Sequence, residues 1–233
     1  MMCNLPIEVL IVDDFPVVRA GLRDLINAEK DMRVVAEAGG GAAAVELFKT
    51  RRPDVVLMDL RMPKMNGLQA IRQIRAACSD CRVVVLTGSD GCETVHQALE
   101  AGAQAYLLKT CAPVEITRAI RAVAAGKRYL PAPIRERLAE RMAAETLTRR
   151  ELEILELIIH GLSNAEIAAR LAVTEGTVKG HINRLLGKLR VADRTQAAIA
   201  ALGRGIFLWT ETEISDKFSD YNFSYKTQRQ NGW

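Results

Sequence analysis

Ionisable and hydroxyl side chains recur at one kind of place in the first half of this sequence. Asp13 and Asp14 follow the apolar run Ile7 to Val12, Asp59 follows Val55 to Met58, Thr87 follows Val83 to Leu86, and Lys109 follows Ala105 to Leu108. If these runs are parallel strands, their carboxyl ends share one edge, which is where open α/β sheets bind ligands. Three carboxylates converging there repel one another unless a divalent cation sits among them, and an all-oxygen set suits Mg²⁺. Lys109 and Thr87 add a cation and a hydroxyl donor, which a phosphoryl group attached to a carboxylate needs. Asp59 is the natural acceptor, since an ionised carboxylate can attack phosphorus while Mg²⁺ offsets the charge on the transferred oxygens. A single Asp after a strand could simply cap the next helix. The whole set does not reduce to that.

A second group of residues lies nearer the C-terminus. Asn164 to Leu171, the turn Ala172-Val173-Thr174 and Glu175 to Leu189 have the size of a helix-turn-helix. At about 100° per residue, Val178, Ile182, Leu185 and Leu189 form one apolar stripe. The opposite face carries Gly176, Lys179, Gly180, Asn183 and Gly187, with Arg184 and Lys188 at its edge. Lysine reaches guanine or phosphate and asparagine pairs with adenine, so this face suits the DNA major groove. Each helical glycine costs about 1 kcal/mol relative to alanine, which close approach to DNA would offset. The competing reading is the solvated face of an ordinary bundle.

The elements that position these residues follow from the pattern. Runs Ile7 to Val12, Arg33 to Ala36, Val55 to Met58, Val83 to Leu86 and Ala105 to Leu108 predict buried strands. Helical stretches lie between and after them, at Pro16 to Ala28, Ala42 to Arg51, Leu68 to Ala77, Glu93 to Ala101 and Pro113 to Ala125. Five βα units in a row predict a doubly wound α/β domain with a parallel sheet and right-handed crossovers. After Gly126 the strand signal ends, and Pro131 to Ala144 reads as a charged helix or linker. Leu147 to His160, Asn164 to Leu171, Glu175 to Leu189 and Asp193 to Leu202 then predict a compact all-α module. The expected organisation is an α/β domain over 1–126, a linker over 127–146, a DNA-binding domain over 147–205 and a loose polar tail over 206–233.

Composition bounds the rest. The 233 residues suffice for two domains, and no apolar run approaches the roughly 18 residues of a membrane span. Glu8, Asp13 and Asp14 stand where an export signal would be apolar, so a cytoplasmic protein with reduced thiols is expected. The formal charge is +4, and residues 146–205 hold nine Lys/Arg against six Asp/Glu, only a mild basic lean. Cys78 and Cys81 form a C-x-x-C, but a lone pair without a nearby His lacks the ligands of a closed zinc site. Structural thiols are the favoured reading. Gly39-Gly40-Gly41 lacks both the G-x-G-x-x-G spacing and a Walker lysine, which disfavours a nucleotide cradle.

Residues 5 to 125 resemble a response-regulator receiver domain of two-component signalling. The likeness rests on Val12-Asp13-Asp14, on Met58-Asp59-Leu60-Arg61-Met62-Pro63 with Gly67, on Thr87-Gly88, and on Gly102-Ala103 through Tyr106-Leu107-Leu108-Lys109. It implies strand order 2-1-3-4-5, as in the related CheY. It further implies Mg²⁺ held by Asp14, Asp59 and the Arg61 carbonyl, with Asp13 acting through water. Thr87 and Tyr106 would form the switch, moving toward the phosphoryl group and inward respectively. Lys64 and Ala105 stand where such domains more often carry glycine.

Residues 147 to 202 resemble the effector domain of the LuxR, NarL and FixJ regulators. The shared positions are Leu147-Thr148-Arg149-Arg150-Glu151, Gly161-Leu162-Ser163-Asn164, Glu166-Ile167-Ala168, Thr174 to Lys179, His181, Lys188-Leu189 and Arg194-Thr195-Gln196-Ala197. The resemblance implies base contacts from Lys179, Gly180 and Asn183, backbone contacts near Thr177, and dimerisation through the last helix, where Ala198, Ile199 and Leu202 are grouped. Arg190 replaces a frequent glycine. The expected partners are a sensor histidine kinase, double-stranded DNA and a second copy of the chain. An orphan regulator working without phosphorylation would be expected to lose part of the acidic set, and a phosphoaspartyl hydrolase would need a cap or substrate pocket. Neither expectation fits, and a receiver-like first half excludes the autoinducer-binding type of LuxR protein.

Overall fold

In the computed structural model, residues 5–143 and 145–207 are described. Five aliphatic runs form one parallel sheet: β1 (Ile7–Val12), β2 (Met32–Ala38), β3 (Val55–Met58), β4 (Val83–Thr87) and β5 (Ala105–Leu108), in the order β2-β1-β3-β4-β5. The interleaved helices are α1 (Pro16–Asn27), α2 (Gly41–Arg51), α3 (Gly67–Ala77), α4 (Cys92–Glu100) and α5 (Pro113–Ala124). Every residue of β3 and β4 is buried, because helices cover both faces of the sheet and leave no polar side to alternate with. Val9, Ile11, Leu57, Val84, Leu86 and Leu107 pack with Leu22 and Ile26 of α1 and with Ile116, Ala119, Ile120 and Val123 of α5. Their buried neighbours Leu10, Val12, Val56, Met58, Val85 and Tyr106 alternate to the other face.

The order reverses between β1 and β3, so the carboxyl ends of these strands flank the crevice where such sheets bind ligands. Strand β2 outruns its predicted span at both ends, pairing with β1 from Met32 to Ala38. The Gly39-Gly40-Gly41 run has a packing role: a Cβ on Gly41 would lie 2.5 Å from the Met65 carbonyl oxygen, so α2 begins hard against the loop after β3. At the far edge, Tyr129 pairs with β5. Its N–H donates to the Gln104 carbonyl at 3.0 Å, and its carbonyl accepts from Tyr106 N–H at 3.4 Å.

Helix α6 (Ala132–Ala143) occupies most of the stretch read as a linker, and the chain divides into two compact units after Ala139. The second unit contains α7 (Arg149–Ile159), α8 (Asn164–Leu171), α9 (Glu175–Leu189) and α10 (Arg194–Arg204). Each starts on a hydrogen-bonding cap: Thr148, Ser163, Thr174 and Asp193 accept a backbone N–H in the first turn, and Glu151 and Glu166 complete capping boxes in α7 and α8. Ile154, Ile158, Ile167, Val178 and Ile182 close the core between α7, α8 and α9. Leu155, Ile159, Leu185, Leu189, Ala197 and Ala201 close it between α7, α9 and α10. The polar tail expected over 206–233 lies, from residue 208 onward, outside the described residues.

Candidate functional site

Asp13 and Asp59 are 1% and 3% exposed, carried to the sheet edge by β1 and β3. Carboxylate oxygens of Asp13, Asp14 and Asp59 lie within 4.8 Å of one another. The Lys109 ammonium, just past β5, is 2.6 Å from Oδ2 of both Asp13 and Asp59. Burial opposes its charge, but these two bonds outweigh burial and hold the ammonium above its ordinary pKa. The Phe15 N–H donates to Asp13 Oδ1 at 2.9 Å, and the Arg61 N–H donates to Asp59 Oδ1 at 3.2 Å. None of these acids caps a helix: α1 has no side-chain cap and α3 is capped by Asn66.

One oxygen in the cluster is left over. Asp14 Oδ1 is buried without a hydrogen-bond partner. Burial, followed by the charges of Asp13 and Asp59, raises the Asp14 carboxyl above its ordinary value against one backbone N–H. A buried, unpaired carboxylate oxygen facing two further carboxylates is the environment a hard divalent cation stabilises. The three acids fit such an ion. Gly67 makes the edge possible from the other side, since a Cβ there would lie 2.1 Å from the Asp59 carbonyl oxygen and 2.8 Å from Leu60 Cα.

Next to this cluster runs a buried polar chain. Thr87 and Tyr106 have no exposed surface. The Tyr106 hydroxyl donates to the Ser89 carbonyl at 2.6 Å, and the Ser89 N–H donates to Thr87 Oγ1 at 3.4 Å. Burial raises the Tyr106 phenol far above its ordinary pKa, so it is a neutral donor at physiological pH. The Tyr106 side chain thus lies inside the fold with its hydroxyl on the Ser89 carbonyl.

In the second unit, Val178, Ile182, Leu185 and Leu189 of α9 are buried, while Thr177, Lys179, Asn183, Arg184 and Gly187 are exposed and Gly180 is half-buried. A Cβ on Gly180 or Gly187 would meet nothing within 4 Å, so packing inside this unit does not require either glycine. A shallow groove of about 670 Å³ runs between His181, Arg184 and Lys188 of α9 and Thr148 and Glu151 at the start of α7.

Comparison with known proteins agrees with both halves. Residues 9–121 match the response regulator receiver domain family, and residues 145–201 match the luxR family of bacterial regulatory proteins. The uncharacterized transcriptional regulatory protein YxjL of Bacillus subtilis (strain 168) is 41% identical over 212 residues, covering 86% of this chain and 97% of its own. The chain belongs to the two-component response regulators with a LuxR-type DNA-binding domain. The nitrate/nitrite response regulator protein NarL of Escherichia coli (strain K12) is 38% identical over 203 residues, covering 83% of this chain and 94% of its own. Among solved structures, the response regulator ChrA of a heme-sensing two-component system is 37% identical, covers 87% of this chain and 99% of its own, and superposes with a TM-score of 0.53.

The response regulator thus brings Asp13, Asp14, Asp59 and Lys109 together, with Thr87 and Tyr106 linked through Ser89. Two residues make contacts that the sequence did not indicate. The Lys188 ammonium is 2.7 Å from Glu151 Oε2, tying α9 to α7, with 23% of its side chain exposed. Ala198 is turned into the core against α7 and α9, whereas Ile199 and Leu202 are 64% and 43% exposed. Sequence reasoning missed Ser89, although it sits two residues after Thr87. It also missed Phe15, whose ring centroid is 5.7 Å from Lys109 Nζ, and Glu151 as the partner of Lys188. The Thr148-x-x-Glu151 spacing was a capping-box signal for Glu151.

Proposed function

We propose that this response regulator accepts a phosphoryl group on Asp59 from a phosphorylated histidine of a sensor kinase and thereby controls its own binding to DNA. The observation that carries the reading is the Asp59 carboxylate itself: 3% exposed, grouped with two other carboxylates, and held 2.6 Å from the Lys109 ammonium. Asp13, Asp14, Asp59 and the Arg61 carbonyl would hold Mg²⁺, which when bound neutralises charge on the phosphoryl oxygens. Lys109 would follow the new negative charge, and the Thr87 hydroxyl would donate to it, loosening the Thr87–Ser89–Tyr106 chain. The receiver is read as an acceptor that gains and loses the phosphoryl group on its own Asp59, and not as a turnover enzyme. The chain is read as cytoplasmic, and no described helix is long and apolar enough to cross a membrane.

The DNA-facing surface is read as Thr177, Lys179, Gly180, Asn183 and Arg184 of α9, with Thr177 near phosphate and Lys179 and Asn183 at base edges. Ile199 and Leu202 of α10 would join two copies across a two-fold axis. The test is the intact mass after treatment with acetyl phosphate and Mg²⁺. The wild-type chain should gain one phosphate adduct and Asp59→Asn none; an adduct of equal yield on the variant would remove Asp59 from the role.

A further inference from the structure

The C-x-x-C read above as structural thiols forms the turn that leads from α3 toward β4. Cys78 is the residue after α3 and is half-buried, and Cys81, two residues before β4, is 5% exposed. The Cys81 N–H donates to the Cys78 carbonyl at 3.3 Å, the i to i+3 bond of a β-turn. Such a turn holds its end Cα atoms within about 7 Å, and a disulfide spans about 4.4–6.8 Å. The turn is also pinned from β5's side of the sheet. Gln104 Nε2 donates to the Cys81 carbonyl at 3.2 Å, and its Oε1 accepts from Val83 N–H at 2.7 Å. The Arg75 guanidinium, on the last turn of α3, reaches the Gly102 carbonyl at 3.4 Å. Burial, with Cys78 and Asp80 adding to it, raises the Cys81 thiol, and Arg75 acts against that rise.

We propose that Cys78 and Cys81 are a reversible dithiol–disulfide site, oxidised by low-molecular-weight disulfides such as glutathione disulfide and reduced by the corresponding thiol. The more exposed Cys78, as thiolate, attacks one sulfur of the small disulfide. A mixed disulfide forms and one small thiolate leaves. Cys81 then loses its proton and attacks the Cys78 sulfur, expelling the second thiolate. The protein gives up two protons and two electrons, and one small disulfide becomes two small thiols. The bond would link α3, whose first residue Gly67 lies against Asp59, to β4, which ends at Thr87. It would do so from the end of both elements opposite the acidic site.

The full chain is equilibrated in glutathione redox buffers, quenched with acid and alkylated, and the residue 78–81 peptide is weighed. The same titration is run on the chain unfolded in urea. The expected result is a Cys78–Cys81 disulfide favoured at least tenfold more in the native chain than in the unfolded one, about 30 mV more reducing. In the native Cys81→Ser variant, Cys78 should stop at a glutathione adduct. In native Cys78→Ser, Cys81 should stay reduced. Equal midpoints in native and unfolded chains would overturn the site. So would both thiols remaining alkylated in the most oxidising buffer, or either cysteine pairing elsewhere. The comparison of native with unfolded wild type decides the matter even if a serine variant fails to fold.

Discussion

Lys64 and Arg190 both adopt left-handed backbone, with φ of 68° and 57°. A side chain there costs roughly 1–2 kcal/mol, and glycine returns about 0.5–1 kcal/mol of that through its extra freedom when unfolded. Arg190→Gly, at the end of α9, should therefore stabilise the DNA-binding unit by about 0.5–1 kcal/mol, read as a rise of a few degrees in melting temperature. The opposite holds at Gly67. The atoms its Cβ would strike are backbone atoms of Asp59 and Leu60, which no rotamer change can move. Gly67→Ala should cost about 1–3 kcal/mol and displace Asp59. A lowered melting temperature together with slower labelling by acetyl phosphate would show it, and unchanged values of both would contradict the contact. The acids at this site were legible because each follows an unbroken apolar run. The acceptor of the Tyr106 hydroxyl was not, because a backbone carbonyl leaves no mark on residue type.

At the scale of elements, the pair between Glu151 and Lys188 separates two readings that helical periodicity cannot. A wheel places Lys188 at the margin of the exposed face of α9. Which neighbouring helix offers a carboxylate is decided by how α7 packs, a relation spanning 37 positions of sequence. Lys188→Met should lower the stability of the unit by about 1–3 kcal/mol, since Glu151 keeps its capping bonds to Thr148 but loses its cation. If Lys188 instead served a DNA phosphate, the same change would leave the melting temperature alone and reduce the salt slope of DNA binding by about one. The pH dependence has a definite sign. Burial disfavours the Glu151 anion, yet Lys188 and Thr148 hold its pKa below the ordinary glutamate value. Its stabilisation is present above the unfolded value of about 4.3 and is lost as pH falls through the lower folded one. Thermal unfolding followed into that acid range should show a steeper loss for the wild type than for Lys188→Met. The four helices themselves were readable because their caps are side chains; α10 ran past its expected end until Gly205, at φ 66°, stopped it.

For the molecule as a whole, two copies are expected to bind DNA more tightly than one, because linked recognition helices roughly add their binding free energies. Ile199→Glu places a charge on the exposed face of α10 and should abolish the dimer proposed to form on phosphorylation. Lys179→Ala should instead weaken DNA binding in monomer and dimer alike. Sedimentation with a gel-shift assay at fixed salt distinguishes them, and an Ile199→Glu chain that still dimerises with unaltered affinity would rule α10 out. The order of strands was readable only through family likeness, since periodicity gives strands but not their neighbours. Nor did any signal announce that Tyr129, beyond the last βα unit, pairs with β5. Together with Ile134, 3% exposed, and the Arg137–Asp90 pair at 3.3 Å, it attaches the start of the α6 segment to the first unit. That feature sets where this receiver can be severed for grafting onto another output module. A fragment ending at Ala125 would bare the Gln104 carbonyl and the Tyr106 N–H along an open strand, an invitation to stack with its own copies. One ending at Ala139 carries its own seal and should stay monodisperse.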